Sequence, residues 1–149
     1  MVSSLLESYM NRGEKMNIDN LTRQHQEIEA SMDYVMNIIN EKKVEEKAFD
    51  IAMELNKLAG KLKIHLISEN NFLYPDLLKS SNAALKELAE NYMNEMVPIG
   101  DKFMEYKDKY NTKSKILADV EKFIRETKEI FKLLQTRLER EDKELYPKL

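Results

Sequence analysis

The sequence predicts an all-α protein, an up-down-up-down antiparallel four-helix bundle with an internal twofold repeat and a short extra N-terminal helix. Three observations carry that reading. With three Gly, three Pro, no Trp and 34% charged residues, few positions are left for turns or a multistranded sheet. Apolar residues recur at steps of three and four along four long stretches. Finally, HLISENNFLYPDL (residues 65–77) is echoed 72 positions later by RLEREDKELYPKL, with Leu66/Leu138, Glu69/Glu141, Leu73/Leu145, Tyr74/Tyr146, Pro75/Pro147 and Leu77/Leu149 identical. A shift of 71 lays Leu21 to Met32 over Tyr92 to Phe103 with the apolar frame intact.

Residues 1–17 form an amphipathic arm through Val2, Leu5, Leu6, Tyr9 and Met10, ended by Gly13 and separate from a bundle of residues 18–149. The arm either packs across one end of the bundle or docks a protein partner; a homodimer is also open. Asp19 and Asn20 are good caps for a first helix whose stripe is Leu21, His25, Ile28, Met32, Val35 and Ile39. After a turn at Asn40 to Lys43, the second stripe starts near Val44. It runs through Ala48, Ile51, Leu55, Leu58, Leu62, His65, Glu69 and Phe72, stopping near Tyr74 and Pro75.

Ser80, Ser81 and Asn82 make the clearest loop and cap a third helix with Leu85, Ala89, Tyr92, Met96, Ile99, Phe103 and Tyr106. Pro98 inside it predicts a kink or local widening. The fourth helix follows Tyr110 to Thr112, shows Ile116, Val120, Phe123, Thr127, Ile130, Leu134, Arg137 and Glu141, and ends at Tyr146 and Pro147.

Composition narrows the function. The 24 basic and 27 acidic residues are well mixed, with a net charge of −3, so no basic stripe points to nucleic acid or to a membrane surface. No cysteine means no disulfide, thiolate metal site, iron–sulfur cluster or thiol nucleophile. The N-terminus lacks a basic stretch followed by a long apolar run, and no continuous apolar run reaches membrane length, so a cytoplasmic protein is the expectation. Without a nucleophile motif, phosphate loop or dinucleotide fingerprint, an ordinary enzyme is the weakest reading, although redox turnover at iron stays open.

In an antiparallel bundle, His25 near the start of the first helix meets His65 and Glu69 near the end of the second. The repeat brings Arg137, Glu141 and Met96 to the same level. Buried carboxylates need a partner or a cation. Glu69 and Glu141 carry two negative charges against one on Arg137, and a metal held by His25, His65 and the carboxylates would settle the remainder. Plainer readings stand beside this one: Arg137 and Glu141 as a salt bridge at i, i+4, Met96 as core filler, and Tyr74 and Tyr146 as caps on the core.

LTRQHQEI with His25, HLISENNFLYPDL with His65 and Glu69, and EREDKELYP with Glu141 resemble the hemerythrin-like, HHE cation-binding family. The resemblance implies a four-helix bundle of two repeated halves. It also implies non-haem iron held by histidines and bridged by carboxylates, binding oxygen or another small diatomic ligand or sensing redox state, iron or nitric oxide. Met96 and Arg137 stand where the second half of the family has histidines, and Gly100 where some members have a further one. One iron rather than two is therefore expected, with the Arg137 guanidinium in place of the second cation, holding Glu69 and Glu141. Two other readings remain: a b-type haem bundle with His25 and His65 or Met96 as axial ligands and Arg137 meeting a propionate, and a metal-free structural or interaction module.

Overall fold

A computed structural model describes the backbone of residues 2–148 and the side chains of residues 18–148. Among the described residues every regular element is helical. Four long helices, α1 (Val2–Asn40), α2 (Ala48–Ser68), α4 (Ala83–Tyr110) and α6 (Val120–Arg140), form a bundle. Helix α1 packs on α2, α2 on α4, α4 on α6 and α6 on α1, closing the ring. Two short helices, α3 (Tyr74–Leu78) and α5 (Lys113–Ala118), lie in the connections. No described helix is long and apolar enough to cross a membrane.

The predicted stripes are the core. Ile28, Met32, Val35, Ile39, Ile51, Leu55, Leu58, Leu62, Phe103, Phe123 and Leu134 are all buried in one apolar cluster. A second, smaller cluster of Leu21, Leu73, Tyr74, Leu77, Ala89, Tyr92, Leu145 and Tyr146 closes one end. Between the two, His25, His65, Glu69, Arg137 and Glu141 form a buried polar layer. Such a layer is costly unless its charges and lone pairs are satisfied, so it marks the part of the bundle that packing alone does not explain.

The element boundaries differ from the sequence reading in five places. Helix α1 runs unbroken from Val2 to Asn40, through Gly13, Asp19 and Asn20, where the sequence suggests the end of one helix and the cap of the next. One internal glycine costs a helix only about 1 kcal/mol and does not stop it. The predicted packing of the arm falls outside the described side chains. Helix α2 begins at Ala48 rather than near Val44, because the chain reverses through Lys42, whose φ is 58°, and needs several turn residues before it is helical again.

The second stripe does not stop at Pro75. It passes through a π-helical turn, Glu69–Leu73, into α3, where Pro75 lies in the first turn and its missing N–H goes unneeded. The widening predicted at Pro98 is absent, and α4 stays α-helical through it. Asn94, Val97 and Pro98 are exposed, so the carbonyl that proline leaves unbonded faces water. Finally, the fourth helix is broken at Asp119. Its side chain accepts from the Lys122 amide at 3.0 Å and caps α6, while Thr112 caps α5.

A second π-helical turn, Glu141–Leu145, repeats the first at the equivalent place in the other half. In each, the amide five residues on donates to the glutamate carbonyl: Tyr74 to Glu69 and Tyr146 to Glu141. Each turn holds one residue more than an α-turn. This is why Leu73 is buried where the α-period predicted Phe72, which is 58% exposed.

Candidate metal centre

His25 comes from the middle of α1, His65 from the last turn of α2, and Glu69 and Glu141 open the two π-helical turns. All four side chains are at most 1% exposed. One ligand atom from each lies within 4.8 Å of all the others. The sequence-predicted metal set is thus gathered in one place. His65 Nε2 is 2.8 Å from Glu69 Oε1, the i, i+4 pair, and 3.8 Å from Glu141 Oε2. His25 Nε2 is 3.4 Å from Glu141 Oε2 and 2.9 Å from His65 Nε2.

The outer ring nitrogens decide which atoms face inwards. His25 Nδ1 is 2.8 Å from an Asp142 carboxylate oxygen, and His65 Nδ1 is 2.9 Å from the Gln24 amide oxygen. Both oxygens only accept, so both Nδ1 atoms carry hydrogen. The Gln24 amide nitrogen in turn donates to Ser68 Oγ, which donates to the Ile64 carbonyl. In neutral rings both Nε2 atoms are then bare lone pairs facing each other. That contact requires a proton or a cation between them.

Among the described residues, Tyr146 supplies one further hydrogen to the cluster. Its hydroxyl lies 3.1 Å from His25 Nε2, 2.9 Å from Glu69 Oε1 and 3.0 Å from Glu141 Oε2. One proton cannot satisfy three acceptors. The far oxygens, Glu69 Oε2 and Glu141 Oε1, are buried and have no hydrogen-bond partner. Burial, together with repulsion from Glu141, pushes the Glu69 carboxyl up to about 7. Burial works against a charged His65, but Glu69 and Glu141 outweigh it and carry the ring up to about 9. Burial would also raise Glu141, yet the Glu69 carboxyl and the His25 and His65 rings beside it hold it below the usual carboxylate range. Without a cation the cluster therefore gathers protons into its centre, and an entering metal would displace them.

The donors fit a metal. Imidazole with carboxylate suits iron, manganese or zinc. The 2.9 Å between the two Nε2 atoms is the span of two neighbouring ligands at about 90° when metal–nitrogen bonds are about 2.0–2.1 Å. The Nδ1 bonds to Asp142 and Gln24 are the outer partners that orient metal-bound histidines. Replacing either Asp142 or Gln24 by alanine is expected to weaken metal binding roughly 10 to 100-fold, measured by competition with a chromophoric chelator. Unchanged affinity in both variants would remove these bonds from the account.

Arg137 and Met96 do not join the cluster. Arg137 Nη1 pairs with the Glu95 carboxylate, Nη2 donates to the Tyr92 carbonyl at 3.1 Å, and the guanidinium lies 3.9 Å over the Tyr92 ring. The expectation that it holds Glu69 and Glu141, like the alternative of a salt bridge to Glu141, is corrected: Glu95 on the facing helix takes the charge instead. Met96 belongs to the apolar core. Sequence reasoning missed three residues here. Gln24 and Asp142 sit beside His25 and Glu141 in sequence, which was the available signal. Tyr146 reads in the sequence as a cap on the core, because its route to the site depends on the π-helical turn.

A family model described as hemerythrin HHE cation binding domain matches residues 16–149. No curated protein and no solved structure matches the chain. The family and the buried His/Glu cluster together fit a metal-binding protein. With all but the first residues matched, the chain belongs to the hemerythrin HHE cation-binding domain family.

Proposed function

We propose that the chain binds one non-haem iron ion through His25, His65, Glu69 and Glu141 and uses it to bind or sense oxygen, nitric oxide or redox state. The observation that carries this reading is the buried pair of Nε2 atoms 2.9 Å apart, flanked by two carboxylates and outnumbering the available protons. Iron held by imidazole and carboxylate can change oxidation state and leave positions open to a small ligand. The protein's part is to orient the rings through Asp142 and Gln24 and to keep bulk water out of the layer between two apolar clusters. One ion is favoured over two because the second half offers Met96, packed in the core, and Arg137, committed to Glu95 and Tyr92.

The up-down-up-down helix order belongs to the same reading, supported by the short connections and by the meeting of His25 with the end of α2. The haem alternative is weakened by the same distance. Axial nitrogens on opposite faces of a macrocycle would stand about 4 Å apart, twice the usual metal–nitrogen bond, rather than 2.9 Å.

Metal analysis with an optical spectrum, before and after anaerobic loading with ferrous iron, tests the proposal. About one iron per chain without a Soret band is the expected result. Two would show that other residues complete a second centre, a Soret band would make haem the cofactor, and no iron after loading would overturn the proposal.

A further inference from the structure

We propose that Tyr146 is a fifth ligand, its phenolate oxygen binding the ferric ion beside His25, His65, Glu69 and Glu141. The inference rests on the iron reading above and on a placement that the α-helical period does not give. In an α-helix, residues five apart lie about 140° round from one another, so Tyr146 would turn away from the face that carries Glu141. The turn Glu141–Leu145 is closed instead by the bond from the Tyr146 amide to the Glu141 carbonyl, which stacks residue 146 over residue 141. The hydroxyl consequently lands 2.9 to 3.1 Å from three of the four proposed ligand atoms.

A structural hydroxyl needs one acceptor, and this one is surrounded by three that also face each other. An oxygen so placed is already among the donors of a common centre. Charge supports the assignment. Two glutamates balance a divalent ion, and a third negative oxygen balances a trivalent one, leaving the buried layer neutral. As the oxygen–metal bond forms, the oxygen–hydrogen bond breaks and the proton leaves to solvent.

The other half supplies an internal control. Tyr74 follows Glu69 through the same kind of turn and is equally buried, but its hydroxyl has no hydrogen-bond partner.

The test is to load the full chain anaerobically with ferrous iron, oxidise it with ferricyanide, desalt, and record iron content, visible absorption and resonance Raman spectra. A tyrosinate-to-iron(III) charge-transfer band with enhanced phenolate vibrations is expected in the wild type. Tyr146→Phe should lose the band while keeping bound iron and helical circular dichroism, and Tyr74→Phe should retain it. Bound ferric iron without the band, or a band of full intensity in Tyr146→Phe, overturns the ligand and leaves the iron reading standing. Absence of iron from the loaded wild type overturns both. If the phenylalanine variant fails to fold, the wild-type Raman spectrum still shows whether a tyrosinate binds the iron, and retention of the band in Tyr74→Phe assigns it away from Tyr74, whereas its loss there overturns the ligand.

Discussion

Alanine in place of His65 is expected to strip the chain of metal and of the thermal stabilisation that metal confers. His65 Nε2 lies 2.8 Å from Glu69 Oε1 and 2.9 Å from His25 Nε2, with Glu141 Oε2 at 3.8 Å, so it faces all three of the other proposed ligands. Its loss should cost more than the roughly 10 to 100-fold that follows loss of an outer partner. A ligand present at about 1,000 times its Kd stabilises the folded state by about 4 kcal/mol. For a chain of this size each kcal/mol moves Tm by about 2–4 °C, so the wild type should gain roughly 8–16 °C on saturation. The measurement is the difference in Tm with and without metal for each protein, in which the cavity left by the shortened side chain cancels. A His65→Ala variant that kept the full rise would place the cation elsewhere.

Arg137→Met is expected to act in the opposite way, costing about 2–4 kcal/mol in stability and leaving metal content unchanged. The methionine fills much of the space but loses the charged bond to the Tyr92 carbonyl, the ion pair with Glu95 and the contact with the Tyr92 ring. The guanidinium Nε is buried without a partner, so part of the loss is offset when it is removed. Urea unfolding reads the stability and metal analysis reads the stoichiometry. A variant that gained a second ion, or lost the first, would restore a direct role for Arg137 in setting how many cations the layer holds.

Periodicity made the four stripes legible, and the repeat made His25, His65, Glu69 and Glu141 legible as one set, because both depend on local spacing that survives folding. Three kinds of feature were not legible. Whether Gly13 ends a helix depends on about 1 kcal/mol, which neighbouring residues override. Arg137 was read against Glu141 because the two are close in sequence, whereas Glu95 reaches it from another helix. The insertion of one residue into the turns after Glu69 and Glu141 leaves no trace in an α-period, so it exchanged Phe72 for Leu73 and hid Tyr146. Asn82, by contrast, was readable as a cap and accepts from the Ala84 and Leu85 amides as predicted.

The proposed ligands come from segments far apart along the chain: His25 from the first long helix, His65 and Glu69 from the second, and Glu141 after the last. An ion shared among them acts as a cross-link in a protein that has no cysteine to make one. It closes a loop running from residue 25 to residue 141, and closing a long loop removes the most freedom from the unfolded chain. The cation would thus tie the first long helix to the final turn of the fold, so that neither could fray without releasing it.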